Sequence, residues 1–336
     1  MQTYTFTTAG MGPYQDLADW LCAHFPLRYI PEEEYMRADF LLCDTFRFHW
    51  EKFPGVRILV TAENHAADLN NFDYCLTHEP VEDDRRHRFP YWQYVTLFDA
   101  EARAALTAPR APLTAEELRA RQRDFCAFVS YNGKAKKRVN MVQALMKRRR
   151  VSCGGPFMNN IGYRVENKRE FLAQHLFSVA YENEATTGYQ TEKIVDAFIA
   201  RSIPLYWGSD MAEEEFNPAA FVHARRYPTQ EAFLDDVLAI ADNEERLLAM
   251  LNAYPLRDPL VLDKAEAELL AFFTRIIERG PKAVQRTRAQ KVKAFLAHFY
   301  GHGLFRTIRR ISRRIRGKNQ QPGDGTFAFE RGIVSK

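Results

Sequence analysis

The 336-residue chain has 46% hydrophobic and 27% charged residues, ordinary values for a soluble globular protein, and its length suits two domains of about 100–200 residues each better than one core. No apolar run approaches the ~18 residues needed to span a bilayer, and the N-terminal MQTYTFTTAGMGPYQDLADW lacks the basic region and apolar core of a signal peptide. The net charge of +4 conceals an asymmetry: residues 281–318 hold twelve Lys/Arg and no Asp/Glu, residues 319–336 balance, and by subtraction residues 1–280 carry about −8. The five cysteines (Cys22, Cys43, Cys75, Cys126, Cys153) include no C-x-x-C pair and sit mainly in apolar segments, which predicts buried free thiols. They and the nine histidines show no metal-ligand spacing.

In chain order, Thr3–Thr7 reads as a strand, Gln15–His24 as a helix, and Phe40–Phe46, Val56–Thr61 and Phe72–His78 as strands. Arg85–Arg88 reads as a charged loop. Pro109–Pro112 reads as a linker, and Thr114-x-x-Glu117 is a capping-box match opening a helix that runs to about Asp124. The alternation then becomes regular: strand Phe125–Ser130, helix Lys136–Lys147, strand Val151–Cys153 and helix Glu166–His175. Helices follow at Glu231–Ala241, Glu244–Tyr254 and Ala265–Arg279. Lys291–Phe299 and Leu304–Arg316 each carry an amphipathic stripe, and the composition after Gly317 is that of a disordered end.

Residues 176–209, LFSVAYENEATTGYQTEKIVDAFIARSIPLYWGS, organise the rest. An apolar strand ends at Tyr181 and runs into Glu182 and Asn183; a polar turn holds Gly188. Thr191 is a candidate N-cap for a helix with Ile194, Val195, Ala197 and Phe198 at mostly helical spacing, and Ile203–Trp207 is a second strand. This is one βαβ unit. It puts Lys193 beside the positive end of a helix dipole, at a strand's C-terminal edge, where open α/β sheets bind anionic ligands.

The string YEN–GYQTEKI–DAF–IPLYWGS resembles the donor-binding signature of the alpha-1,3-fucosyltransferases, in which FEN, GYxTEK and IPxYWG recur at this spacing. The resemblance runs from about residue 125 to 260. It implies an α/β fold of two Rossmann-like domains facing a cleft, the GT-B architecture: 1–112 binding acceptor and carrying the base, 113–280 binding GDP-fucose, and a basic amphipathic tail over 281–336. It implies an inverting single displacement that moves fucose from GDP-fucose to a hydroxyl, O3, of an N-acetylglucosamine or glucose residue in a glycan, as in the cytoplasmic, bacterial type of enzyme.

Such a transfer needs cations on the diphosphate, a carboxylate on the ribose hydroxyls and a base for the acceptor hydroxyl. Lys193 is the first phosphate candidate and Glu192 the ribose candidate; Asn183 and Tyr189 match positions that line the donor pocket. Arg138, in VSYNGKAKKRVNMVQAL, reproduces the family's strand–SN–loop–R–helix spacing, and its planar guanidinium suits a diphosphate better than the neighbouring Lys134, Lys136 or Lys137. Gly154, Gly155 and Asn160 resemble the family's GG…N-x-x-G block, with glycines that let backbone approach ligand. Glu63 ends an apolar strand as EN before Phe72-Asp73-Tyr74, where the family places its proposed base; His65 is the alternative by its titration range. Two residues depart from the family: Tyr181 for Phe, and Glu184 where a small polar residue is common.

No cofactor is expected beyond the donor substrate, with a divalent cation (Mn or Mg) at most stimulatory. The expected partners are GDP-fucose, a lactose, N-acetyllactosamine or lipopolysaccharide-type acceptor, and an anionic membrane surface on the inner face, bound through residues 282–318, but no nucleic acid. The alternatives are a transferase for another GDP-sugar, or a non-catalytic glycan- or nucleotide-binding protein at the membrane.

Overall fold

The structure, a computed structural model, describes residues 2–9, 15–44, 53–81, 83–121 and 123–281. The basic tail expected to meet a membrane lies outside these residues.

Two wholly parallel sheets carry the chain. The first contains β1 (Tyr4–Ala9), β2 (Leu27–Tyr29), β3 (Phe40–Cys43), β4 (Val56–Val60), β5 (Tyr74–Thr77) and β6 (Arg86–Arg88), in the order β2-β1-β3-β4-β5-β6. The second contains β7 (Asp124–Phe128), β8 (Val151–Cys153), β9 (His175–Tyr181), β10 (Ile203–Trp207) and β11 (Val222–His223), in the order β11-β10-β9-β7-β8. Every residue of β3, β4 and β5 is buried. That explains their unbroken apolar runs: a parallel sheet covered on both faces has no solvent side to alternate toward.

The helices are α1 (Gln15–His24), α2 (Tyr91–Leu97), α3 (Ala100–Thr107), α4 (Ala115–Ala120), α5 (Lys136–Met146) and α6 (Lys168–Ala173), then α7 (Glu192–Ile199), α8 (Ala212–Glu215), α9 (Gln230–Ala241), α10 (Glu244–Asn252) and α11 (Val261–Arg279). The capping box forms in full: Glu117 N donates to the Thr114 hydroxyl at 3.2 Å, and Thr114 N donates to the Glu117 carboxylate at 2.9 Å. Among the described residues no helix is long and apolar enough to cross a membrane.

Three sequence expectations need correction. Arg85–Arg88, expected as a loop, contains edge strand β6: charged residues are tolerated there because Arg86 faces outward onto Asp83, at 2.8 and 2.6 Å, while His87 faces in. The helix expected over Glu166–His175 is confined to α6, because Asn167 caps its start and His175 is already the first residue of β9. Cys22 is exposed on α1; the other four thiols are buried, and burial pushes Cys75 up to about 12 and Cys153 up to about 11.

Helices cross the expected 112/113 boundary in both directions. Leu269, Phe272, Phe273 and Ile276 of α11 pack into the core of the first sheet with Phe6, Leu42 and Ile58. Trp92 of α2 and Leu106 of α3 are buried against Ile194, Val195 and Phe198 of α7. α2 and α3 also carry no strong sequence signal, being short and bounded by Pro90 and Asp99 rather than by a long periodic stripe.

Candidate active site

The chain leaves β7 for β8 on one side, and returns to β9 on the other. The loops after β7 and β9 therefore diverge and leave a crevice at the strands' C-terminal ends, the topological switch point where α/β sheets bind ligands. Arg138, in the first turn of α5, fills its floor. It is 6% exposed. One terminal nitrogen donates to the Tyr181 carbonyl (3.2 Å) and the Asn183 Oδ1 (3.0 Å), the other to the Ser130 hydroxyl (3.3 Å). A guanidinium has five N–H groups. Three are spent on the two strand ends and Nε is sealed without a partner, so one terminal N–H is left over. Burial lowers the Arg138 pKa, and the nearby Glu182 charge opposes that shift.

Glu182, the first residue after β9, is fully buried and ties the site together. Its carboxylate accepts from Thr191 N (2.8 Å), from the Thr191 hydroxyl (2.9 and 2.8 Å) and from Lys193 Nζ (3.0 Å). Thr191 does occupy the N-cap of α7, but its hydroxyl makes no capping bond to the helix; Glu182 captures it instead. Lys193 Nζ also donates to Thr191 Oγ1 at 2.8 Å. An ammonium has three donors, so here too one is left. Burial works against the Lys193 charge, yet Glu182 and Glu192 outweigh it and raise the pKa.

Sequence reading placed Glu182 at the strand's end and gave it no role. A carboxylate following a buried strand, with Thr and Lys opening the next helix, was the available signal. Glu192 remains one-third exposed, 3.7 Å from Lys193 Nζ and 3.6 Å from Lys168 Nζ. Burial alone would raise its pKa, but Lys193 and then Lys168 hold it down at about 2. It stays an ionised acceptor at any physiological pH.

The 183–190 loop is pressed against the first sheet. Gly188 has φ +80°, and a Cβ there would lie 2.1 Å from the His78 carbonyl oxygen, so only glycine fits. Tyr189, 3% exposed, stacks edge-on against His78 with ring centroids 5.3 Å apart. Burial pushes the Tyr189 hydroxyl well up, and the carboxylates of Glu182, Glu63, Glu192 and Glu184 push it further. Glu63, from the first sheet, thus lies within charge range of Tyr189. It lies in a tight turn after β4, where its N–H donates to Thr61 Oγ1 (3.2 Å) and its carbonyl accepts from His65 N (2.8 Å). Its side chain is exposed. His65 lies within charge range of buried His78.

The structure gives the β8 block a positioning part. A Cβ on Gly155 would lie 2.3 Å from the Ser130 carbonyl oxygen, and one on Gly154 would lie 2.3 Å from Val165 Cγ2, so both positions need glycine for protein packing. The Asn160 amide is spent on the β8 backbone, donating to the Val151 carbonyl (2.9 Å) and accepting from Cys153 N (2.8 Å). Lys137 lies over the Trp207 ring at 4.7 Å. Of the two departures from the family, Tyr181 stacks on Trp207 in the second core (6.0 Å), away from the crevice. Among the described residues no three His, Cys, Asp or Glu side chains group as a metal site.

The family model described as glycosyltransferase family 10 (fucosyltransferase) C-term matches residues 118–252. The alpha-(1,3)-fucosyltransferase FucT of Helicobacter pylori is 30% identical over 252 residues, 66% of this chain and 53% of that protein. A putative fucosyltransferase of Acanthamoeba polyphaga mimivirus is 23% identical over 252 residues, 71% of this chain and 40% of its own. The chain thus spans about half or less of the curated relatives it matches. A crystal structure of an alpha1,3-fucosyltransferase superimposes with a TM-score of 0.68 at 25% identity, covering 82% of this chain and 90% of that one. Residues 118–252 thus match glycosyltransferase family 10, the fucosyltransferases, and the relatives that share this segment are named as fucosyltransferases.

Proposed function

We propose that the protein is an inverting alpha-1,3-fucosyltransferase that moves L-fucose from GDP-fucose to a hydroxyl, O3, of an N-acetylglucosamine or glucose residue in a glycan. One observation supports this reading: Arg138 and Lys193, bonded to the consecutive residues Asn183 and Glu182, stand together at the ends of β7 and β9, beside a loop that Asn64, the neighbour of Glu63, meets from the first sheet. A crystal structure titled alpha1,3-fucosyltransferase with GDP-fucose shares the fold, with a TM-score of 0.65 at 24% identity over 80% of this chain and 90% of that one.

In this mechanism Arg138 and Lys193 hold the diphosphate, and Glu192 accepts from the ribose hydroxyls. Asn183 and Tyr189 line the donor pocket, while Gly154, Gly155 and Asn160 hold the β8 loop that borders it. The acceptor oxygen attacks the anomeric carbon opposite the diphosphate, and its proton passes to Glu63. The bond from the anomeric carbon to the diphosphate oxygen breaks, a β-linked donor becomes an α-fucoside, and the charge developing on GDP is taken by Arg138 and Lys193. A divalent cation, Mn or Mg, would add to that stabilisation without being required.

Residues 1–112 would read the acceptor and 113–280 the donor. The twelve Lys/Arg within 281–318 suit an anionic membrane on its cytoplasmic face, each contributing about 1 kcal/mol near the surface; sedimentation with phosphatidylserine vesicles tests this, and a chain left in the supernatant would refute it.

The deciding experiment incubates the purified protein with GDP-fucose, GDP-mannose and UDP-sugars, each with lactose or N-acetyllactosamine, and scores nucleotide release and product. GDP release and an α1,3-fucosylated product from GDP-fucose alone are expected. Release only from GDP-mannose would overturn the sugar assignment.

A further inference from the structure

We infer, on the basis of the transfer reading above, that Asn64 and Glu184 form a positioning pair that fixes the base-bearing turn against the donor-binding loop. Asn64 follows Glu63 directly. Its side-chain nitrogen donates across the cleft to Glu184 Oε2 at 2.6 Å and to Thr186 Oγ1 at 2.8 Å. Both N–H groups of the amide are thus spent on the donor-side loop. The turn itself is tight, with Glu63 N on Thr61 Oγ1 and His65 N on the Glu63 carbonyl, so Glu63 moves with Asn64.

The loop is anchored differently at its root. There Arg88 donates to Gln190 Oε1 (3.0 Å) and pairs with Glu215 (2.6 Å), Trp92 N donates to the Gln190 carbonyl (3.3 Å), and Trp92 Nε1 donates to Glu215 (3.0 Å). The Arg88 and Glu215 side chains are only 12% and 11% exposed, and separating them would strand a buried charge. The root therefore fixes where the loop attaches, while the solvent-facing contact at Asn64 fixes where its tip lies relative to Glu63. An amide–carboxylate hydrogen bond is charge-assisted and directional, so it defines a distance that a glancing surface contact would not. Glu184 supplies that carboxylate. It acts on transfer through Asn64 and is a positioning residue of this chain.

The test is a two-residue cycle on the full chain. Asn64→Asp sets a carboxylate against Glu184 and is expected to lower kcat about ten-fold or more, with the Kd for GDP unchanged within about two-fold. Adding Glu184→Gln supplies an amide donor for the new Asp, and the double variant is expected to recover most of that loss. Thermal melting of each variant identifies any that fails to fold; Glu184→Ala, which removes the pair without repulsion, then stands in and is expected to lower kcat with GDP affinity intact. Wild-type turnover in the single variants, or a double variant no better than Asn64→Asp, would overturn the pair. A wild-type protein that transfers no fucose refutes the functional reading instead, so the two failures are distinguishable.

Discussion

Replacing Glu63 by Ala is expected to lower turnover by about 10²–10⁴-fold, the usual contribution of a positioned general base, while GDP binds as in the wild type. The acceptor hydroxyl is a weak nucleophile until it sheds its proton, and in the proposed mechanism Glu63, whose charge reaches Tyr189 of the 183–190 loop, takes that proton. Its side chain is exposed and its backbone alone holds the turn. Truncation should therefore remove chemistry and spare stability. Steady-state kinetics with calorimetry of GDP binding check this. Parallel loss of turnover and GDP affinity would point to a structural part for Glu63, and full activity in Glu63→Ala with loss in His65→Ala would transfer the role to His65.

The largest expected loss of stability lies at Glu182. Glu182→Gln replaces a fully buried carboxylate that accepts from Thr191 N, the Thr191 hydroxyl and Lys193 Nζ with an amide that can accept through one atom only. Its NH₂ group would meet a donor, and the Lys193 ammonium would lose its counter-charge. Breaking a buried pair costs roughly 3–5 kcal/mol; the lower end applies because the Lys193 side chain is 19% exposed. For a chain of 336 residues about 3 kcal/mol corresponds to a fall in melting temperature of roughly 4–5 °C. GDP affinity should fall with it, because α7 would lose the anchor that aims Lys193. Thermal melts with and without GDP measure both effects, and a melting temperature within a degree or two of wild type would contradict this assignment.

The second sheet was largely legible from sequence, and the reason is physical. Val151–Cys153 and Ile203–Trp207 are buried strands with sharp polar boundaries, and Thr114 and Glu117 are two halves of one local device. Where signals are local, spacing carries them. Arg138, Asn183, Tyr189, Glu192 and Lys193 could be named because the motif resemblance falls on the loops and first helical turns beside those elements, and the structure brings them to the same switch point. What could not be read depends on contacts distant in the chain. Glu182 takes its importance from Thr191 and Lys193; Trp92 is buried with Ile194 and Phe198, and α11 with Phe6 and Ile58, partners more than a hundred residues away. Gly154, Gly155 and Asn160 show the converse: the motif was visible, but which side of each residue meets protein is a matter of packing, and it is the protein that fills that space. β6 went unread because charge at a sheet edge looks like charge in a loop.

The central claim is that the start of α7 and Arg138 together grip a diphosphate. Calorimetry of GDP and of guanosine, each titrated into wild type and Lys193→Ala, tests it most directly. Loss of one charge-assisted contact, about 1.5–3 kcal/mol, should weaken GDP binding by about ten-fold or more and leave guanosine, which has no phosphate, unchanged. Equal loss for both ligands, or GDP bound as tightly as by wild type, would contradict it.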